Sequence, residues 1–416
     1  MKPELLNTCT LKTVSQSPRD GAFVQDPYEF YARAHEAHAV FFWDEYGMVA
    51  LAGCDAVNQL FRDRRFGRQI LHVASRDELG WPERPAHLTD FDRVEKYSLL
   101  ELEPPAHTKL RRLITKAFVS RQVETLRPAI RETCHAQIDA IERTGSAELL
   151  KTYAMQVPLV TIYNLLGVSI SHGQSLLDWS HAIVRMYTLD PTQDEQVTAN
   201  AAARDFAAFL EEEIDRKRAQ PGDDLLSALI AVESEGDTLT IDELISTSVV
   251  LLNAGHEATV HQFGNAIRTL LVEKYDIKTL FASDEATQAT VEELIRYDAP
   301  LHMFTRYALE DLTLEVEGQS IPFKKGEQIA LLLAAANRDP RAFANPHRFD
   351  PARADQKNVS FGAGIHFCIG APLARIELQE MLSVLFERLP DIQLADTPHY
   401  ADVYHFHGLE ALNVKW

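Results

Sequence analysis

Cysteine is scarce in this chain. There are four in 416 residues, at positions 9, 54, 134 and 368, with no Cys-x-x-Cys pair. That spacing excludes a disulfide framework and a cysteine-rich zinc site, and it fits a reducing cytoplasm. Positive charge is short as well: 41 Lys and Arg against 61 Asp and Glu give a formal net charge of −20. The deficit argues against nonspecific binding to nucleic acid or to an anionic membrane surface. No apolar run approaches the roughly 18 residues of a membrane-spanning helix. The polar stretch 1–21 lacks the apolar core of a secretion signal. Internal repeats and low-complexity tracts are missing too. With 46% hydrophobic residues the chain can bury a large core, so the expectation is a folded cytoplasmic protein, monomeric by default.

Periodicity predicts a mainly α protein with small β-sheets near both ends. Apolar runs at 40–43 and 48–51 bracket a turn with Gly47 and read as a hairpin. From about 55 to 290 the pattern is mostly helical, most clearly over 125–143, 196–218 and 241–273. The stretch 72–100, with Pro82 and Pro85, reads as a long loop. Beyond Pro300 the period changes: 312–316 alternates, 328–335 is a continuous apolar run suited to a buried strand, and 391–416 is strand-like with turns. Thr240 and Glu243 form a capping-box pattern. A helix from there to 273 would run about 50 Å and cross the whole fold. Residues 1–24 are expected to be a loosely ordered extension, and 25–416 one domain.

The most informative segment is 361–372, Phe-Gly-Ala-Gly-Ile-His-Phe-Cys-Ile-Gly-Ala-Pro. Three glycines permit positive φ and close backbone approach to a flat partner. Cys368 precedes a helical pattern in which Pro372 suits the first turn. The N–H groups and dipole there favour a thiolate. Taken alone, a single intracellular cysteine reads as a small buried hydrophobe. The string as a whole, Phe-Gly-x-Gly-x-His-x-Cys-x-Gly, resembles the haem-binding loop of cytochromes P450 at each defining position.

That resemblance, over residues 25–416, implies the cytochrome P450 fold, with haem b between a long distal helix and the helix after the cysteine loop. It implies that Cys368 is the axial ligand of the haem iron. His366 would help hold a haem propionate, Phe361 would pack near the sulfur, and Gly370 would let the backbone come close. Without an N-terminal anchor the chain looks like the soluble bacterial type. Asn253-Ala254-Gly255-His256-Glu257-Ala258-Thr259 reads by itself as a stripe of small residues for close helix packing. Beside Cys368 it resembles the oxygen-binding part of the P450 distal helix, with Ala254 and Gly255 against the haem and Glu257 as the acid. Ala258 stands where threonine is usual, as it does in some biosynthetic relatives. Thr259 comes one residue late, a rotation of about 100°, so the resemblance leaves the catalytic set as Glu257, Ala258 and Thr259. A substrate hydroxyl or an ordered water would supply the missing group.

Further matches follow in register. Glu293 and Arg296 form Glu-x-x-Arg on one helix face. With Arg348 in Pro-His-Arg-Phe they resemble the structural Glu-Arg-Arg triad of the family. His107, Arg111 and Arg306 resemble its propionate-binding positions, where a guanidinium fork suits a carboxylate. Candidate substrate-pocket residues are Trp81, Phe91, Leu252, Leu301, His302, Phe304, His405 and Phe406. Lys109, Arg112 and Lys116 make a basic stripe that is either a solvated face or a docking patch for an acidic redox protein. No electron-transfer domain is evident in the sequence, so the resemblance implies a separate ferredoxin and ferredoxin reductase carrying electrons from NAD(P)H. The implied reaction is insertion of one oxygen atom from O2 into a small organic substrate. A peroxide-driven peroxygenase and a haem sensor are the alternatives.

Overall fold

The computed structural model describes residues 11–36, 39–118, 123–187, 191–353 and 357–416. Six helices position the site: α1 (Tyr28–Glu36), α2 (Ala106–Ala117), α3 (Ile241–Ala254), α4 (Glu257–Val272), α5 (Asp284–Tyr297) and α6 (Ala371–Arg388). Helices Arg127–Ile141, Gln156–Leu166, Gly173–Val184 and Gln193–Ala219 pack around them. Local chemistry sets the helix ends. Thr240 Oγ1 accepts the Glu243 N–H at 3.3 Å, while the Glu243 carboxylate accepts the Thr240 N–H at 2.8 Å. Caps of this kind contribute about 1 kcal/mol each. Ser283 caps α5 in the same way through the Ala286 N–H.

The larger sheet holds β1 (Thr13–Val14), β2 (Val40–Trp43), β3 (Met48–Leu51), β4 (Phe66–Gly67), β5 (Met303–Ala308) and β6 (Gln328–Leu332), in the order β1-β2-β3-β6-β5-β4. The predicted β2–β3 hairpin is present, with Gly47 at φ +61 in its turn. β6 pairs parallel to β3 and antiparallel to β5, placing Arg306 opposite Ile329. Strands Leu312–Val316 and Gln319–Phe323 form a two-stranded sheet. The C-terminal strand Asn413–Lys415 sits between Gln393–Leu394 and Ser146–Glu148, which ties the chain end to the helical body. The main core runs through the helices, with Phe263, Leu270, Met381 and Leu382 wholly buried. A second cluster of aromatic side chains, including Phe23, Phe30, Tyr31, Phe41, Trp43 and Tyr404, welds α1 to the sheet.

Four expectations are corrected. The distal helix is not continuous over 241–273; it stops at Ala254 and restarts at Glu257. His256 leaves helical geometry (φ −121), and its ring Nδ1 lies 3.0 Å from the Leu252 carbonyl, so the side chain competes with the backbone for that acceptor. The stretch 72–100 is not all loop. Thr89–Glu95 is helical because Asn200, from the helix Gln193–Ala219, accepts the N–H groups of Asp90 and Phe91 at 2.9 and 3.0 Å. The apolar run 328–335 ends as a strand at Leu332 and turns into the short helix Leu333–Ala336. Residues 11–24 are docked rather than loose. Thr13–Val14 pair with Phe42 and Trp43, and Phe23 and Val24 are buried. Residues 1–10 lie outside the described part.

Candidate active site

The cysteine loop is shaped by its glycines. Gly362 and Gly364 both have φ +69, and a Cβ on Gly364 would overlap the Phe61 carbonyl oxygen. The fold back is closed by the Cys368 N–H donating to the Phe361 carbonyl at 3.0 Å. Cys368 is accessible, although the surrounding protein still pushes its thiol pKa upward. The N–H groups of Gly370 and Ala371 and the charges of Arg111 and Arg375 pull the other way. The start of α6 thus brings two N–H donors and the Arg375 charge to one sulfur, and α2 adds the charge of Arg111, a setting that favours a thiolate once a cation is there to receive it. Arg375 also stacks 4.6 Å from the Phe361 ring and is paired with Glu292.

Beside the loop lies a basin of cationic and imidazole groups. Buried His107 stands with its ring 4.5 Å from that of His366 and has no partner for Nε2. Burial first, then His366 and Arg111, push its pKa down to about 4. Arg111 donates to the Phe367 carbonyl at 2.7 Å. Arg306 is 4% exposed. Its Nη1 donates to its neighbour's carbonyl, and burial together with Arg68 pulls its pKa down to about 9. Glu103, unremarked in the sequence, lies 3.4 Å from His366 Nε2 and accepts the Arg68 N–H at 2.6 Å. A buried guanidinium with depressed pKa and an orphaned buried imidazole nitrogen are what a pair of propionate carboxylates would satisfy. The residues therefore fit haem.

The distal break presents a narrow open face. Ala254 is exposed, and Leu251, Glu257 and Ala258 are half-buried. Burial raises the Glu257 pKa. Two distal expectations, for Leu252 and Thr259, fail, and Gly255 has a local role, since a Cβ there would overlap the Leu251 carbonyl oxygen and meet Ile162 at 3.3 Å. Leu252 is buried in the core, and its neighbour Leu251 is the accessible residue. Thr259 is 6% exposed and turned away from the open face, beside the buried Glu377 of α6, while the Thr161 hydroxyl donates to the Val157 carbonyl. That buried carboxyl has its pKa pushed up to about 8 by desolvation. The contact docks α4 on α6.

Of the other pocket candidates, Leu301 pairs with Phe406 in an isolated bridge, and Phe304 sits half-buried under Arg68 at 5.6 Å. Trp81 packs on Tyr307 at 5.9 Å, on the face of β5 opposite Phe304 and Arg306. Phe91 is core. His405 packs against Tyr46 and Tyr404. His302 is wholly buried in a polar cluster with Tyr31 and His407.

Glu293 and Arg296 make a fully buried bidentate pair at 2.7 and 2.8 Å, and Arg296 also binds the carbonyls of Asn337 and Pro346. The third arginine is not Arg348, whose side chain is exposed and whose carbonyl is what the cluster uses. Arg353 takes that place, 3.4 Å from Glu293. The basic stripe is not free either: Lys109 pairs with Glu243 at 2.9 Å, Arg112 with Glu235 and Asp237, and Lys116 donates to the Glu233 carbonyl. Its charge is largely answered within the chain.

No helix among the described residues is long and apolar enough to cross a membrane. Comparison with known proteins agrees with this architecture. The family model for Cytochrome P450 matches residues 285–390, which include Glu293, Arg296 and Cys368. The chain is 35% identical over 404 residues to cytochrome P450 monooxygenase PikC of Streptomyces venezuelae, covering 95% of this chain and 92% of that protein. It is 37% identical over 338 residues to 6-deoxyerythronolide B hydroxylase of Saccharopolyspora erythraea, covering 80% and 78%. Among solved structures, the bacillaene polyketide synthase cytochrome P450 PksS of Bacillus subtilis aligns with a TM-score of 0.84 at 30% identity, covering 96% of this chain and 99% of that one. A glycine-shaped cysteine loop, a basin suited to propionates, a broken distal helix and full-length similarity of this order lead to one assignment: the chain belongs to the cytochrome P450 family of monooxygenases.

Proposed function

We propose that this protein is an O2-dependent haem-thiolate monooxygenase acting on a polyketide-type substrate by hydroxylation or oxidative dealkylation. Electrons would come from NAD(P)H through a separate ferredoxin reductase and ferredoxin in the cytoplasm. The observation that carries this reading is the sulfur environment, where two N–H donors and the charges of Arg111 and Arg375 converge on accessible Cys368. Bound haem b supplies O2 activation and oxygen-atom insertion. Cys368 would hold the iron as a thiolate, while His107, Arg111, Arg306 and His366 would bind the propionates. The small side chains of Ala254 and Ala258 leave room above the ring, and Leu301, Phe304 and Phe406 wall the substrate side.

Proton management follows from what position 258 lacks. Thr259 is buried away from the break, so Glu257 is the acid left there. Its raised pKa lets it keep a proton at higher pH than a free carboxyl. Glu257 would hold a proton at its carboxyl for delivery through a hydroxyl on the substrate, or a water held by it. The names of two relatives, 6-deoxyerythronolide B hydroxylase and a bacillaene polyketide synthase cytochrome P450, support a substrate class rich in hydroxyls.

The test combines spectra and turnover. Wild-type protein should give the red-shifted carbonyl Soret band of reduced thiolate haem, and Cys368→Ala should lose it. Polyketide lactones with ferredoxin, reductase, NAD(P)H and O2 should yield product, and hydroxyl-free analogues should couple reductant to product worse than their parents. Ala258→Thr should narrow that gap. Equal coupling for both substrate types sinks substrate assistance, and turnover with peroxide alone but not with O2 and reductase favours a peroxygenase instead.

A further inference from the structure

A second polar site lies outside the cysteine loop and the distal break. Asp298 caps the end of α5, His302 leads into β5, and His407 belongs to the C-terminal loop. All three are buried, and one ligand atom from each lies within 4.8 Å of the other two. His407 Nε2 is 3.6 Å from Asp298 Oδ1, and the two imidazole rings are 4.3 Å apart. Nε2 of His302 and Nε2 of His407 have no hydrogen-bond partner, although His302 is 0% and His407 2% exposed. Two orphaned nitrogens in one dry cluster are costly unless something accepts their lone pairs.

The surroundings hold the trio in place. His302 Nδ1 is 2.8 Å from the Tyr31 hydroxyl, which fixes the ring. Asp298 accepts hydroxyl protons from Tyr28 at 2.8 Å and Tyr400 at 2.6 Å. The Tyr400 ring stacks on His407 with centroids 3.6 Å apart. From α4, Asn265 donates to the His407 carbonyl at 2.9 Å and Gln262 to the Asp298 carbonyl at 3.3 Å. A Cβ on Gly408 would overlap the His261 ring, so the loop can approach α4 this closely only with glycine there. Arg338 and Arg268 are the nearby cations, 4.1 Å from the Tyr28 ring and 5.0 Å from the Tyr400 ring. Arg338 is also bound to the Tyr297 carbonyl.

We propose that Asp298, His302 and His407 form a structural site for a divalent transition-metal ion of the zinc class, separate from the haem iron. Two neutral imidazoles and one carboxylate match the ligand preference of such ions. The hydroxyl bonds to Asp298 and to His302 Nδ1 are the outer-shell contacts that orient metal ligands. The ion joins the end of α5, the approach to β5 and the C-terminal loop, three segments remote in sequence. Leu301 and Phe406, paired in an isolated bridge, are each adjacent to one of its ligands. The ion therefore stiffens the wall assigned to the substrate side.

The test uses purified haem-loaded protein, stripped with EDTA, titrated with Zn2+ against a chromophoric chelator, and analysed for zinc and iron after gel filtration. About one tightly held zinc per haem iron is expected in the wild type. His407→Gln should weaken zinc binding by more than about tenfold. Tyr31→Phe, which removes no ligand, should weaken it by about 10- to 100-fold. Both should keep the carbonyl spectrum of the folded haem protein. Crystals of the zinc-loaded wild type should show an anomalous peak between the three side chains, which decides the matter even where a variant fails to fold. No zinc retained by the wild type, unchanged affinity in both variants, or a peak only elsewhere overturns the site.

Discussion

Arg348 and Arg353 give opposite predictions according to whether sequence pattern or geometry is followed, and the difference is large enough to measure. Pattern places Arg348 on Glu293. The structure leaves the Arg348 side chain exposed and brings Arg353, with 8% side-chain exposure, to 3.4 Å from the fully buried Glu293 carboxylate. Arg353 also donates to the carbonyls of Ala344, Asn345 and Arg348. A hydrogen bond from a charged donor to a buried charged acceptor is worth about 1.5–3 kcal/mol. The three carbonyl contacts lie near solvent, so water replaces much of them and about 0.5 kcal/mol each is a fair share. Arg353→Ala should therefore cost about 3–4.5 kcal/mol, more than about a hundredfold in the unfolding constant. Arg348→Ala should stay within about 0.5 kcal/mol, as exposed substitutions do. Urea unfolding of the two variants, followed by tryptophan fluorescence and by the Soret band, measures both. If Arg348→Ala proves the costlier, the assignment of Arg353 to the cluster is wrong.

Other consequences are equally direct. Glu293→Gln strips the charge from a buried pair and leaves Arg296 uncompensated, so a loss of about 3–5 kcal/mol is expected in the same unfolding assay. Glu377 has a folded pKa of about 8 against an ordinary 4.5, so between those values the folded state holds a proton that the unfolded state has lost. Stability should fall as pH rises through that window, with a slope of up to about 1.4 kcal/mol per pH unit. Glu377→Gln should flatten the slope, and an unchanged pH profile would count against the buried acid. Gly364→Ala meets both a positive φ and the Phe61 carbonyl. It should cost more than about 1 kcal/mol and lower haem retention, as read from the haem-to-protein absorbance ratio. Because Arg112 is already paired with Glu235 and Asp237, Arg112→Gln should change the ferredoxin-driven reduction rate by less than about twofold in stopped flow. A larger drop would restore the stripe as a docking patch.

The fold was legible wherever one local rule governed the outcome. The Thr240 capping box, the Gly47 hairpin and the cysteine loop needed no distant partner, and their positions match the pattern closely. The misreadings share a physical origin in contacts made across long sequence separations. The helix Thr89–Glu95 borrows its cap from Asn200, more than a hundred residues on. The strand expected over 328–335 stops at Leu332, and the Leu333 N–H is taken by the His302 carbonyl. The break after Ala254 depends on which atom of His256 takes the Leu252 carbonyl, and periodicity carries no such information.

The site divides along the same line. A contiguous motif points to Cys368 and His366 and register points to His107, Arg111 and Arg306, and the fold gathers His107, His366 and Arg111 beside the cysteine loop. Facing was not fixed. Leu252 and Leu251 are equivalent to a hydropathy pattern, yet one is buried and the other only half-buried. Thr259 differs from position 258 by one step of helical rotation, and that step buries it away from the cleft. His302 is the sharpest case. A histidine just after a Pro-Leu turn beside the expected pocket invites a substrate contact, but the strand that follows alternates, and this side chain lands on the inner side with Tyr31 and His407. Its nearest polar neighbours come from residues 31, 298 and 407, three segments that no sequence window joins. The buried trio is therefore a product of the tertiary fold alone. A metal bound there would be a ligand of the folded chain and not of the unfolded one, and its binding free energy would add to stability in proportion to the logarithm of free metal over Kd. That linkage gives the zinc proposal a thermodynamic signature independent of haem: the Tm of wild type should rise with added Zn2+, while that of His407→Gln should not.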